Sequence, residues 1–194
     1  MSVKISVIGT GHLGSIHARL WKNTINAELI GIFDIENKKA DALSNELNCK
    51  IFSSINEALE ASDAVTIAAP TSNHYEIAMK CLQQNKHCLI EKPITSNYLE
   101  AKSLIDEAQN KGLVIQVGHV ERFNPALAAL KDYKLNPVFI EAHRLSQFKP
   151  RATDVSVILD LMIHDIDIML WLIKSKVKKI DANGVSILTD TPDI

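Results

Sequence analysis

The chain has 194 residues, 46% of them hydrophobic and 23% charged, with a formal net charge of -2. That length suits one large domain or a domain and a half. The near-neutral balance excludes a general nucleic-acid binder and a polybasic membrane binder, and no apolar run reaches the ~18–20 residues that a membrane span needs. The first residues, MSVKISVIG, read as a strand and not as a secretory signal. Cys49, Cys81 and Cys88 form no CxxC pair and read as reduced packing thiols, so a cytoplasmic protein is expected.

In chain order, VKISVIG (3–9) predicts the first strand and 12–24 the first helix. Between them GTGHLG supplies Gly9, Thr10, Gly11, His12, Leu13 and Gly14 with glycines in GxGxxG spacing. Where such a turn ends a strand and opens a helix it reads as a phosphate loop: the first glycine turns the chain, the second lets backbone approach a pyrophosphate, and the third lets helix and strand pack. AELIGIFD (27–34) is the second strand and ends on Asp34. An acid there can accept both hydroxyls of an adenosine ribose and repels a 2′-phosphate, which favours NAD over NADP. Lys38 and Lys39 stand close enough in sequence to soften that preference.

A helix over 36–47, a strand at 49–52 and a helix over 55–61 come next. The strand at 64–70 runs into AAPTSNH (68–74), where Ala69, Pro70, Thr71, Asn73 and His74 are candidate cofactor contacts and Asn73 and His74 are expected to face the crevice. A helix over 73–85 leads to the strand HCLIE (87–91) and to EKP (91–93), where Glu91 and Lys92 are further candidate cofactor contacts. Lys92 stands at a strand end, where ligands of open parallel sheets collect, and its ammonium can polarise or deprotonate a hydroxyl. A helix over 97–111 and a strand at 113–118 complete the alternation. Short β-branched strands in strict turn with helices predict a doubly wound parallel sheet.

After Gly118 the rhythm changes, so a first domain over 1–118 and a second over 119–194 are expected. GHVERFNP brings Arg122, which either reaches the crevice or pairs with Glu121 or another acid. Residues 123–133 predict a helix, and 137–146 and 178–190 predict strands. Arg144, Lys149 and Arg151 could meet a substrate pyrophosphate. LDLMIHDIDIMLWL (159–172), within a helix over 158–174, is apolar yet carries Asp160, His164, Asp165 and Asp167. At ~100° per residue Asp160, His164 and Asp167 share one narrow stripe, the pattern of a helix lining a pocket. An Asp–His pair one turn apart can exchange protons near neutral pH. A metal held by the same groups is the rival, and Lys92 as the local cation argues against it.

GTGHLG, Asp34, AAPTSNH, EKP and DLMIHDID, in this order, resemble the Gfo/Idh/MocA family of oxidoreductases. The resemblance implies a Rossmann domain followed by an α/β domain with a mainly antiparallel sheet, here incomplete. It implies NAD, with NADP as the alternative, and Lys92, Asp160 and His164 as the catalytic set with no metal. Lys92, Asp160 and His164 with Arg122, Arg144 and Arg151 would hold the substrate. It also implies a sugar, cyclitol or nucleotide-sugar substrate and frequent homo-oligomers. GHVERFNPA is most similar to members that oxidise the C3 hydroxyl of UDP-N-acetylglucosamine. A dinucleotide-binding protein without turnover, and a dehydrogenase of inositol or a free hexose, are the alternatives.

Overall fold

A computed structural model describes residues 2–145, 155–187 and 192. The chain divides into two units, Met1–Gly118 and His119–Ile194.

The first unit is a six-stranded sheet with the order β3-β2-β1-β4-β5-β6. Its strands are β1 (Val3–Ile8), β2 (Ala27–Phe33), β3 (Lys50–Ile51), β4 (Ala64–Ile67), β5 (His87–Ile90) and β6 (Ile115–Val117). Every pairing is parallel. The helices between them are α1 (His12–Lys22), α2 (Asn37–Leu47), α3 (Ile55–Ala61), α4 (His74–Gln83) and α5 (Tyr98–Lys111). The order reverses between β1 and β4, which opens a crevice at the carboxyl ends of those strands.

Strand alternation divides the core between the two faces of the sheet. Val7, Leu29 and Ile32 meet Ala18, Ala40, Leu43 and Leu47 from α1 and α2. Ile8, Val65, Ile67 and Ile90 meet Leu59, Ile77, Leu82 and Leu104 from α3, α4 and α5. Cys81 and Cys88 are free thiols inside this second cluster.

Several elements are shorter than the sequence predicts, for local reasons. Helix α1 stops at Lys22 because the Asn23 amide and Thr24 hydroxyl donate to the Arg19 and Leu20 carbonyls. Helix α4 is preceded by a 3-10 turn, Thr71–Asn73, which starts after Pro70. Helix α5 begins where Asn97 accepts the Glu100 N–H at 3.0 Å and ends on Gly112 at φ 65°.

The second unit departs further from expectation. The predicted helix over 123–133 is broken into a 3-10 turn (Val120–Phe123), the short α6 (Pro125–Ala128) and another 3-10 turn (Ala129–Asp132). Asn124 caps α6 by accepting the Ala126 N–H at 3.0 Å. Residues 137–145 and 178–187 take no strand, so the expected mainly antiparallel sheet is not seen among the described residues. A ladder needs a neighbour to accept its N–H groups, and two short strands rarely make a sheet. Val138, Phe139, Leu145 and Ile180 are accordingly exposed. The predicted helix over 158–174 is a π turn (Ile158–Met162) continuing into α7 (Ile163–Leu172). A π turn closes i→i+5 bonds, so the uniform ~100° spacing does not hold across Asp160. No helix among the described residues is long and apolar enough to cross a membrane.

Candidate functional site

The glycine turn follows directly from β1. Gly9 sits at φ 89°, a conformation side chains rarely adopt, and a Cβ there would lie 2.7 Å from the Ala68 and Ala69 backbone. A Cβ on Gly14 would fall 1.8 Å from the Gly9 carbonyl oxygen, so helix and turn touch through bare backbone. Gly11 differs: nothing lies within 4 Å of its would-be Cβ, and it starts α1 without a side-chain cap. The first N–H groups of α1 thus open onto free space, the arrangement that receives a phosphate. His12 and Leu13 form the first turn and are exposed. The turn fits a pyrophosphate as the sequence spacing predicts.

Asp34 holds this turn from the side. Its Oδ2 accepts the Thr10 N–H at 2.6 Å and the Thr10 hydroxyl at 2.8 Å, and its Oδ1 accepts the Glu36 N–H at 2.8 Å. Burial pushes the carboxyl up, but the Glu36 N–H and the two Thr10 donors outweigh it and hold Asp34 below its ordinary value. A depressed folded value means stability that is present above the unfolded carboxylate pKa of about 3.9 and lost as pH falls through the folded one. Asp34→Asn is therefore expected to unfold less steeply with acid than the parent, as followed by circular dichroism between neutral pH and pH ~2.

A cavity of about 440 Å³ opens at the carboxyl ends of β1, β2 and β4. Gly9, Gly11, Asp34, Ala69, Pro70 and Asn73 line it, with Ile35, Ile55 and Ile77 as an apolar wall. That combination suits a ribose and a flat base. Lys39 also reaches the lining and is paired with Glu36 at 2.8 Å.

Thr71 and His74 do not open to this crevice. His74, expected to face it, is 1% exposed. Its Nδ1 lies 2.9 Å from the Pro93 carbonyl and its Nε2 2.9 Å from the Ala69 carbonyl, so the imidazole braces the loop after β4 against the loop after β5. His74 stands at the first position of α4, directly after the 3-10 turn, and both its ring nitrogens are taken up by loop carbonyls instead of facing the crevice.

Glu91 and Lys92 follow β5. Glu91 is buried, and His17 Nε2 lies 2.6 Å from its Oε1, while its Oε2 accepts the Lys92 N–H at 3.1 Å. Burial raises Glu91, and the His17 contact, with lesser help from Lys92, more than reverses this. An ionised carboxylate only accepts, so the His17 N–H must donate. His17 is a residue that motif spacing passes over. Gly14, His17, Ala18 and Trp21 recur at i, i+3, i+4 and i+7, and that inward face was the available signal.

In the second unit Asp160 lies in the π turn and His164 in the first turn of α7, both half-buried. Arg122, expected at the crevice or on an acid, forks onto Asp167 at 2.6 and 2.5 Å. Arg144 forks onto Asp165 at 2.7 and 2.9 Å. Both carboxyls are held low, first of all by those arginines. The two guanidiniums expected to meet substrate are thus engaged in fixing α7. Lys149 and Arg151 lie outside the described residues. No cluster of three His, Cys, Asp or Glu among the described residues could hold a metal.

Comparison with known proteins agrees with this geometry. The chain is 42% identical over 193 residues to the UDP-N-acetylglucosamine 3-dehydrogenase of Acidithiobacillus ferrooxidans, covering 99% of this chain and 61% of that protein. A solved structure of that enzyme superposes with a TM-score of 0.92 at 41% identity, over 100% of this chain and 63% of the other. An inositol 2-dehydrogenase/D-chiro-inositol 3-dehydrogenase of Lacticaseibacillus casei is 33% identical over 186 residues, covering 89% of this chain and 54% of that protein. The chain therefore spans little more than half to three-fifths of the length of these relatives. The profile of the Gfo/Idh/MocA oxidoreductase family, with its NAD-binding Rossmann fold, matches residues 3–119, and the chain belongs to that family.

Proposed function

We propose that this chain is the dinucleotide-binding and reacting part of an NAD-dependent dehydrogenase acting on a secondary hydroxyl of a nucleotide sugar, with the C3 hydroxyl of UDP-N-acetylglucosamine as substrate. The observation that carries the reading is the bare glycine turn at the strand-order reversal, with Asp34 on its rim and Lys92 following β5. The likeness to the Acidithiobacillus enzyme supports the choice of sugar.

Bound NAD supplies a hydride acceptor at its nicotinamide ring. The chain's own residues do the rest. Gly9, Gly11 and the N-terminus of α1 hold the pyrophosphate, and Asp34 accepts the ribose hydroxyls, which disfavours NADP. His164 takes the proton of the reacting hydroxyl and Asp160 orients the imidazole. Lys92 stabilises the charge that develops on the oxygen. Exchange of the base role between Lys92 and His164 is the variant of this scheme. The protein is proposed to act in the cytoplasm.

Mixing the protein with NAD and UDP-N-acetylglucosamine is expected to produce NADH absorbance. NADP, myo-inositol and glucose are each expected to give rates at least about tenfold lower, the scale of one lost or clashing polar contact. NADH binding without turnover on any of these substrates would select the non-catalytic reading. Faster turnover of inositol would overturn the choice of sugar.

A further inference from the structure

The pair formed by His17 and Glu91 has no part in the scheme above. A part-buried imidazole–carboxylate contact is weak evidence for stability, since apolar residues of the same volume often serve as well. Its placement asks for another account. Glu91 is fixed on three sides: His17 holds Oε1 at 2.6 Å, the Lys92 N–H reaches Oε2 at 3.1 Å, and Gly118 leaves room for the carboxylate. A Cβ on Gly118 would lie 3.1 Å from Oε2 and 3.2 Å from Oε1. The Glu91 N–H continues the ladder by donating to the Ile67 carbonyl at 2.9 Å, so the backbone entering Lys92 is fixed as well.

His17 comes from α1, the helix whose start receives the phosphates. One turn further on, the Trp21 indole N–H donates to the Thr66 hydroxyl of β4 at 2.8 Å. Helix α1 therefore makes a polar contact to β4 and another to the residue before Lys92. Only the second bears on a reacting group.

We propose that His17 is a positioning residue for Lys92: through the buried Glu91 carboxylate it ties the phosphate-binding helix to the residue that presents the ammonium. The proposal rests on the role given to Lys92 above. Without His17, Glu91 keeps the Lys92 side chain as its neighbouring cation, and the ammonium is drawn back toward it.

The test reads Lys92 directly. The full chain is labelled with trace acetic anhydride at fixed pH, and acetylation of Lys92 is compared by mass spectrometry with that of exposed Lys38 in the same molecule. His17→Leu is expected to slow Lys92 labelling by about threefold or more, the effect of drawing the side-chain nitrogen into contact with a buried carboxylate. His17→Gln, whose amide N–H can reach the same oxygen, is expected to restore the wild-type rate to within about twofold. If His17→Leu does not fold, His17→Asn, too short to reach Glu91, takes its place with the same expectation. The Kd for NADH, followed by fluorescence, is expected to stay within about twofold throughout.

Unchanged Lys92 labelling in the Leu or Asn variant overturns the proposal. So does weaker NADH binding with unchanged labelling, which would make His17 only an anchor for α1. Labelling does not depend on turnover, so its outcome is separate from that of the Lys92→Ala experiment, whose failure would fall on the proposed function instead.

Discussion

Lys92→Ala is expected to lower kcat for oxidation of the sugar hydroxyl by ~10²–10⁴-fold, the usual contribution of a positioned acid, base or charge stabiliser. Lys92 is not among the residues that line the dinucleotide cavity, so the Kd for NADH should move by less than about threefold. A fall in kcat and in kcat/KM together marks an interaction made in the transition state. Lys92→Arg keeps the charge but not the compact ammonium, and is expected to recover little. His164→Ala should show a comparable loss. Steady-state kinetics of both alanine variants checks the scheme, and near-full turnover in each would rule it out.

Gly14→Ala is expected to destroy cofactor binding and to destabilise the fold together. The new methyl would sit 1.8 Å from the Gly9 carbonyl oxygen and 2.8 Å from its carbon, and both are backbone atoms that cannot swing aside. Helix α1 must then back away from the turn, at a cost of about 1–3 kcal/mol typical of overpacking. The first N–H groups of α1 move with it, so NADH affinity should fall by about 100-fold or more, on the scale of displacing a positioning element by an ångström. Gly11→Ala is the informative contrast. Its φ is -62° and no atom lies within 4 Å of the added carbon, so thermal stability should hold while NADH binding weakens. Paired melting curves and NADH titrations separate a glycine needed for packing from one needed for access. Equal effects of the two substitutions on the melting temperature would contradict this division.

The parallel sheet was legible because its strands are short, apolar and bounded by turns, and all six appear within a few residues of their predicted places. The glycine turn was legible from context, as Gly9 and Gly11 fall between β1 and α1 and Gly14 in the first turn of α1. What the sequence hid was the company that side chains keep. His17 carries no motif, and only its helical phase with Gly14 and Trp21 pointed inward. His74 was expected at the crevice, and the Pro93 carbonyl that holds it inward lies 19 residues away. Asp167 looked like a candidate for a ligand and Asp165 had no evident partner; the arginines they pair with, Arg122 and Arg144, lie 45 and 21 residues away, too far for any local rule. The π turn at Asp160 breaks no residue preference and shows only in hydrogen bonding. Residues 137–145 and 178–187 alternate as strands do, but alternation states a preference for a face and cannot supply the neighbour that a ladder requires.

Both hydrophobic clusters of the cofactor-binding unit draw every member from residues ahead of Gly118. Among the described residues, the packing beneath the glycine turn is thus built from the first unit's own strands and helices. A substitution within one of those clusters is therefore expected to loosen the seat of the glycine turn directly, because the strands and helices that carry the turn are the ones packed there.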